Sequence, residues 1–194
     1  MPPKTTFTKE VVLEASLQVL KHEGIQGVSA RTIAKQLQSS TAPVYSCFAN
    51  IDELKTALLD QAFSTMLTYL TVNYTTRAFL NLGIGFVLFA GNEKELFRSL
   101  FLSGGNAKSY HDRYIELVKA EMRVDLRFTI ISDDEKFALL ERMWVSTFGL
   151  ASMVCNEVLP AKSQDDVMRM LTDLGNPLAN EVLQKRRNEL NKRV

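Results

Sequence analysis

With 194 residues, 46% of them hydrophobic and 23% charged, the chain has the make-up of an ordinary globular protein, either one large domain or a small domain fused to a larger one. A net charge of +1 gives no global attraction to nucleic acid, so any such signal has to come from local arrangement. Cys47 and Cys155, far apart and the only cysteines, exclude a disulfide framework and offer no metal-ligand spacing, so neither metal nor cofactor is expected.

The opening MPPKTTFTKE lacks the apolar core of a signal peptide. The longest apolar stretch, residues 82–90, is interrupted by glycine and too short for a bilayer. A cytoplasmic protein with no membrane partner is expected.

Hydrophobic periodicity is helical nearly throughout, which predicts an all-α fold. In the first helix Val12, Ala15, Ser16 and Val19 share a face, and Gly24 supplies a left-handed stop. Ser29 caps a second helix that turns Ile33, Ala34 and Leu37 inward. Thr32 stands where a capping box places Glu, which leaves that box incomplete. A very short third helix follows near residues 40–46, with Pro43 in its first turn, where a missing N–H costs nothing. Asn50 or Asp52 then caps a long helix carrying Leu54, Leu58, Phe63, Met66, Leu67 and Leu70, with no Gly/Ser linker after it.

Further helices are predicted near 75–90, 93–102, 107–130, 133–157 and 164–174. Loops fall at Ser103-Gly104-Gly105-Asn106 and at 156–162. Asn176 and Pro177 read as the start of a last helix or a sharp kink, and the KRRNELNKR tail as a fraying, solvated end. Cys155, in an apolar helical run, reads as a buried free thiol.

The segment 27–48 is the most informative. Between Glu23 and Asp52 its only charges are Arg31 and Lys35, so two short helices and a tight turn make a locally positive surface. Small proteins present a helix to the DNA major groove in this way.

Residues 12–58 resemble the N-terminal domain of TetR-type transcriptional regulators. The matching elements are the first helix ending at Gly24, the Val28-Ser29 entry, Ile33-Ala34, the Val44-Tyr45-x-x-Phe48 signature and Asp52-Glu53-Leu54. The later pieces Phe89-Ala90, Leu96-Phe97-Arg98-Ser99-Leu100-Phe101 and Trp144-Val-Ser-Thr-Phe-Gly149 are similar to one variety of that family's ligand-binding domain, with Phe148 where His is common. Four departures stand out: Gln38 replaces the glycine of the turn, Thr41 a basic residue, Ser46-Cys47 an Arg-His pair, and Ile51 a lysine. Each lost phosphate contact lowers the salt slope by about 0.9, so binding weaker and less salt-sensitive than is usual for the family is expected, with Lys55 able to replace one contact.

The resemblance implies a helix-turn-helix DNA-binding domain over 1–50 and a helical ligand-binding and dimerisation domain over 51–194. Its implied DNA-binding set is Arg31, Lys35, Ser40, Thr41, Ala42, Pro43, Tyr45, Ser46 and Lys55. Thr41, Ala42 and Pro43 would face base edges and favour thymine methyl groups. Tyr45 and Ser40 would hold phosphates, while Arg31 and Lys35 grip the flanking backbone. Without the resemblance, Tyr45 is a core aromatic and the two cations a solvated face.

The implied ligand cavity would draw on Phe63, Met66, Phe86, Phe89, Phe97, Phe101, Tyr110, Tyr114, Trp144 and Phe148, which helical spacing alone would make ordinary core. Asn106, His111 and Arg113 would orient a polar group of an apolar or amphipathic inducer. The implied partners are a palindromic double-stranded operator, a homodimer mate and that small molecule. Leu139, Leu140, Met143, Val154, Val167, Met170, Leu171 and Leu174 would supply a four-helix dimer interface. Repression relieved by the inducer is the implied mode.

No phosphate loop and no HExxH is present, and the only histidines, His22 and His111, lie in separate predicted elements, so no enzyme is expected. A helical protein with weak or lost DNA binding, acting through a protein partner, is the alternative reading.

Overall fold

The computed structural model describes residues 7–160 and 163–192; part of the predicted 156–162 loop and the first six residues lie outside them. It is 80% helical, with no strand among the described residues, and so is all-α as the periodicity predicts. In chain order the helices are α1 (Lys9–Gly27), α2 (Ala30–Gln36), α3 (Ala42–Cys47), α4 (Ile51–Leu70), α5 (Ala78–Asn92), α6 (Lys94–Phe97), α7 (Ala107–Val124), α8 (Asp133–Cys155) and α9 (Gln164–Asn191). They group into two compact units. One holds the described residues up to Thr65 together with Glu93–Lys108; the other holds Met66–Asn92 and the described residues from Ser109 onward.

In the first unit, α1 starts at Thr8, whose hydroxyl accepts the Val11 N–H at 3.4 Å. It buries Val12, Ala15, Ser16 and Val19, the face that the sequence periodicity marks, with Leu17 and Leu20 beside them. Gly24 breaks it with φ 68° and ψ −179°, backbone that is essentially restricted to glycine, and one more turn reaches Gly27. α6 packs on α1, and Lys21 reaches Glu93 at 3.3 Å. The helix predicted over 93–102 is α6 followed by a π-turn at Arg98–Leu102, with Phe97 and Phe101 5.3 Å apart between ring centres. α4 starts at Asn50, which settles the sequence alternative. Asn50 Oδ1 accepts the Glu53 N–H at 2.8 Å, and Glu53 Oε2 accepts the Ala49 N–H at 2.7 Å.

The second unit is built on α5, α7, α8 and α9. Asn81, buried in the first turn of α5, accepts from the Thr75 N–H and hydroxyl at 2.8 and 2.7 Å and donates to the Thr75 carbonyl at 3.0 Å. This clasp starts α5 at Ala78, a few residues later than predicted. α7 ends at Val124, not near 130: a 3-10 turn at Leu126–Phe128 inserts Phe128 beside Phe79, 5.7 Å between ring centres. α8 opens on a complete Ser132/Glu135 capping box and carries Cys155, a buried thiol as expected.

Two expectations near the C-terminus are corrected. α9 runs unbroken through Pro177. Pro177 is exposed and forfeits only one helical hydrogen bond, while Val167, Leu171, Ala179 and Leu183 keep one buried stripe on both sides of it. Within the basic tail α9 continues to Asn191, and Arg186 donates to the Ile130 carbonyl at 3.2 Å while pairing with Glu189 at 3.3 Å; Arg193, the end of that tail, lies outside the described residues.

Candidate nucleic-acid interface

The turn between α2 and α3 sets the direction of the short third helix. At the start of α2, the Ser29 hydroxyl accepts the Thr32 N–H at 3.2 Å, and Thr32 Oγ1 accepts the Ser29 N–H at 3.0 Å. Thr32 therefore completes the capping box that the absence of Glu had suggested was incomplete; a short hydroxyl reaches the same N–H.

At the far end, the Ser39 N–H bonds to the Ala34 carbonyl at 3.0 Å and the Gln38 N–H to the Lys35 carbonyl at 3.1 Å. This is a Schellman closure, and its left-handed position is Gln38 at φ 50°. A side chain there carries strain that glycine avoids. Gln38→Gly is expected to stabilise the chain by about 1 kcal/mol, read as a rise in thermal midpoint with DNA binding retained.

α3 spans Ala42–Cys47, slightly later than predicted, so Ser40 precedes it and Thr41 is its N-cap. Val44 and Phe48, 1% and 2% exposed, anchor it to the first unit. Thr41, Ala42, Tyr45 and Ser46, at spacings of one helical face, all point outward, with Pro43 half-buried beside them. Tyr45 is 58% exposed, which overturns its reading as a core aromatic. The Thr41 hydroxyl makes no capping bond and is available to a ligand. Two hydroxyls are used internally: Ser46 donates to the Pro43 carbonyl at 2.8 Å, and Ser40 accepts the Ala42 N–H at 3.4 Å.

The cations stand off this face. Arg31 and Lys35 are exposed on α2 and Lys55 is half-buried on α4, and none forms an ion pair among the described residues. Sequence reasoning missed the clamp behind them. Lys9 lies 4.6 Å above the Phe48 ring and 3.7 Å from Glu53, tying the start of α1 to the corner between α3 and α4. A lysine four decades of sequence away from its partner leaves no local signal.

Of the aromatic and methionine side chains expected to line a cavity, Phe63, Phe97 and Phe101 are buried in the first unit. Met66, Phe86, Phe89, Tyr110 and Tyr114 are buried in the second, with Trp144 and Phe148 half-buried there. Phe86, Tyr114, Trp144 and Phe148 form one cluster: Phe86 is 4.6 Å from Tyr114 and 5.1 Å from Trp144, and Trp144 is 5.3 Å from Phe148. Between α5, α7, α8 and α9 lies a cavity of about 60 Å³, lined by Tyr114 and Trp144 from that set together with aliphatic side chains.

Burial pushes the Tyr114 phenol well above its ordinary pKa, so it stays a donor, and it donates to the Leu82 carbonyl at 3.4 Å. The three polar candidates are dispersed. Asn106 is in an exposed loop of the first unit, and His111 sits edge-on to Trp144 at 5.2 Å with Asp112 at 3.0 Å. Arg113 lies over Tyr110 at 5.1 Å.

No protein-family model matches the chain. Its N-terminal stretch is similar to two transcriptional repressors of helix-turn-helix type. One is the HTH-type nicotine-responsive transcriptional repressor HdnoR of Paenarthrobacter nicotinovorans, 36% identical over 53 residues, 27% of each chain. The other is the HTH-type transcriptional repressor DrrR1 of Streptomyces coeruleorubidus, 36% identical over 59 residues, 30% of this chain and 22% of that one. The chain spans about a quarter of the length of these curated relatives. Among the described residues no helix is long and apolar enough to cross a membrane.

Proposed function

We propose that the chain is a ligand-responsive repressor of TetR type that binds a palindromic operator as a homodimer and is released by a small apolar or amphipathic inducer. The observation that carries this is α3 itself: an element anchored by Val44 and Phe48 that turns Thr41, Ala42 and the large ring of Tyr45 to solvent. An exposed tyrosine beside small side chains is costly without a partner surface, and it suits contact with base edges and phosphate.

One such helix reads few bases, so two copies about 34 Å apart on a twofold axis supply selectivity. The support for a mate comes from α8 and α9. Leu139, Leu140, Val154, Val167 and Leu171, expected at the interface, are buried within the single chain. What remains outside is Leu174, one of the expected set, at 44% exposure, together with residues of α8 outside that set: Val145 at 72%, Gly149 with open space around it and Met153 at 46%. A monomer gains nothing from an apolar stripe of this kind, and a second copy covers it symmetrically. Release would follow from ligand affinity that differs between two arrangements of the dimer, with α4, one continuous helix belonging to both units, as the connection.

Selection from a randomised duplex library tests this. Two inverted half-sites with thymine at the α3 contacts are expected, and no enriched sequence with a demonstrably folded dimer contradicts it, favouring the protein-partner reading. With Arg31, Lys35 and Lys55 as the cations of each subunit, the slope of log affinity against log salt should not exceed a magnitude of about 5. A much steeper slope would require phosphate contacts not assigned to this surface.

A further inference from the structure

We propose that the cavity between α5, α7, α8 and α9 takes a neutral, single-ring aromatic molecule that acts as a wedge between α8 and α9 and so weakens the dimer. The inference rests on the homodimer and inducer reading above and adds where the inducer acts and by what route.

The lining dictates the chemistry. No charged side chain borders the cavity, so an ionised ligand would be desolvated without a counter-charge. Aromatic surface comes from Phe79, Tyr114 and Trp144, and aliphatic surface from Val118, Leu140 and Leu171. The polar groups are neutral hydroxyls: Thr147 donates to the Met143 carbonyl at 3.0 Å, while two are held by long bonds, Tyr114 at 3.4 Å from the Leu82 carbonyl and Ser146 at 3.5 Å from the Arg142 carbonyl. They suit a single hydroxyl or ether oxygen on a ring.

The size dictates the consequence. The cavity is about 60 Å³, well below the ~150 Å³ that admits benzene to a dry apolar site elsewhere. There is no slack at its edges. A Cβ on Gly175 of α9 would stand 3.0 Å from Met143 Cε of α8, and one on Gly83 of α5 3.3 Å from Leu171 Cδ1 of α9. A ring seated fully between the helices therefore moves Met143 or parts α8 from α9. No residue of α4 borders this cavity. The helices it would part are those that carry Val145, Met153 and Leu174, the stripe assigned to the mate, and Leu174 belongs to both lining and stripe. Ligand binding and dimerisation then oppose each other, and each weakens the other by the same factor.

Sedimentation of the full chain with and without millimolar p-cresol, with benzoate as the charged counterpart, tests this. On wild type, p-cresol is expected to raise the dimer dissociation constant by about tenfold, while benzoate leaves it unchanged. Met143→Ala opens room for the ring: p-cresol should bind it more tightly by calorimetry while moving its dimer constant by less than about threefold. Binding of p-cresol to wild type with the dimer constant unmoved overturns the wedge and leaves the homodimer reading standing. Failure of p-cresol to bind, or an equal effect from benzoate, overturns the ligand class. A chain that is monomeric at every concentration overturns this inference together with the homodimer reading beneath it.

Discussion

Gly85→Ala is expected to destabilise the second unit by about 3 kcal/mol. A Cβ at this point of α5 would stand 2.5 Å from the Tyr69 carbonyl oxygen, 2.8 Å from its carbon and 3.1 Å from Leu70 Cα. These are backbone atoms, so no rotamer change relieves the overlap. Nor can α5 slide, because Ile84, Phe86 and Val87 on either side are fully buried. Gly149→Ala is the internal control: nothing lies within 4 Å of its Cβ position, and removing a helix-interior glycine should add about 0.5–1 kcal/mol to the isolated fold. Urea denaturation of the two variants should give changes of opposite sign. A Gly85→Ala loss below about 1 kcal/mol contradicts the close approach of α5 to the end of α4.

Val145→Arg carries the largest expected effect on function. Val145 is 72% exposed, so the folded monomer tolerates the change. In a twofold interface the substitution appears twice and places two guanidinium groups in apolar surroundings. The dimer dissociation constant should rise at least about 100-fold, and operator affinity should fall with it because each half-site alone binds weakly. Light scattering and a mobility shift on the same sample check both. A variant that stays dimeric with unchanged DNA affinity would remove α8 from the interface.

Much of the first unit was legible because its signals are local. Gly24, Ser29, Pro43 and Asn50 each act on backbone within a few residues, and the buried face of α1 follows from spacing alone. Thr32 was misjudged because its hydroxyl reaches the N–H that a longer acidic side chain usually serves. Where tertiary contact decides, the sequence said less. Pro177 looks like a helix boundary locally, yet one buried stripe running past it carries α9 through. α7 looked longer than it is because Phe128 keeps the helical rhythm while belonging to a separate turn packed on Phe79.

In the candidate site, the outward direction of Tyr45 follows from the resemblance but not from periodicity. One face of a six-residue helix holds too few residues for periodicity to separate inside from outside. The aromatic residues read from the sequence as one apolar set, without a division between the two units. Spacing cannot tell Phe97 and Phe101, in the first unit, from Tyr114 and Trp144, which border the cavity of the second. The Lys9–Phe48–Glu53 clamp left no trace at all, since its members meet only in three dimensions.

The central claim is that the uncharged α3 grips duplex DNA, and a mobility shift with the DNA flanking its own gene tests it most directly. Wild type should give a sequence-specific complex at low salt, and Tyr45→Ala combined with Lys35→Ala should weaken it about 100-fold without loss of fold or dimer. No retained DNA from a folded dimer, or retention indifferent to both substitutions, would contradict it.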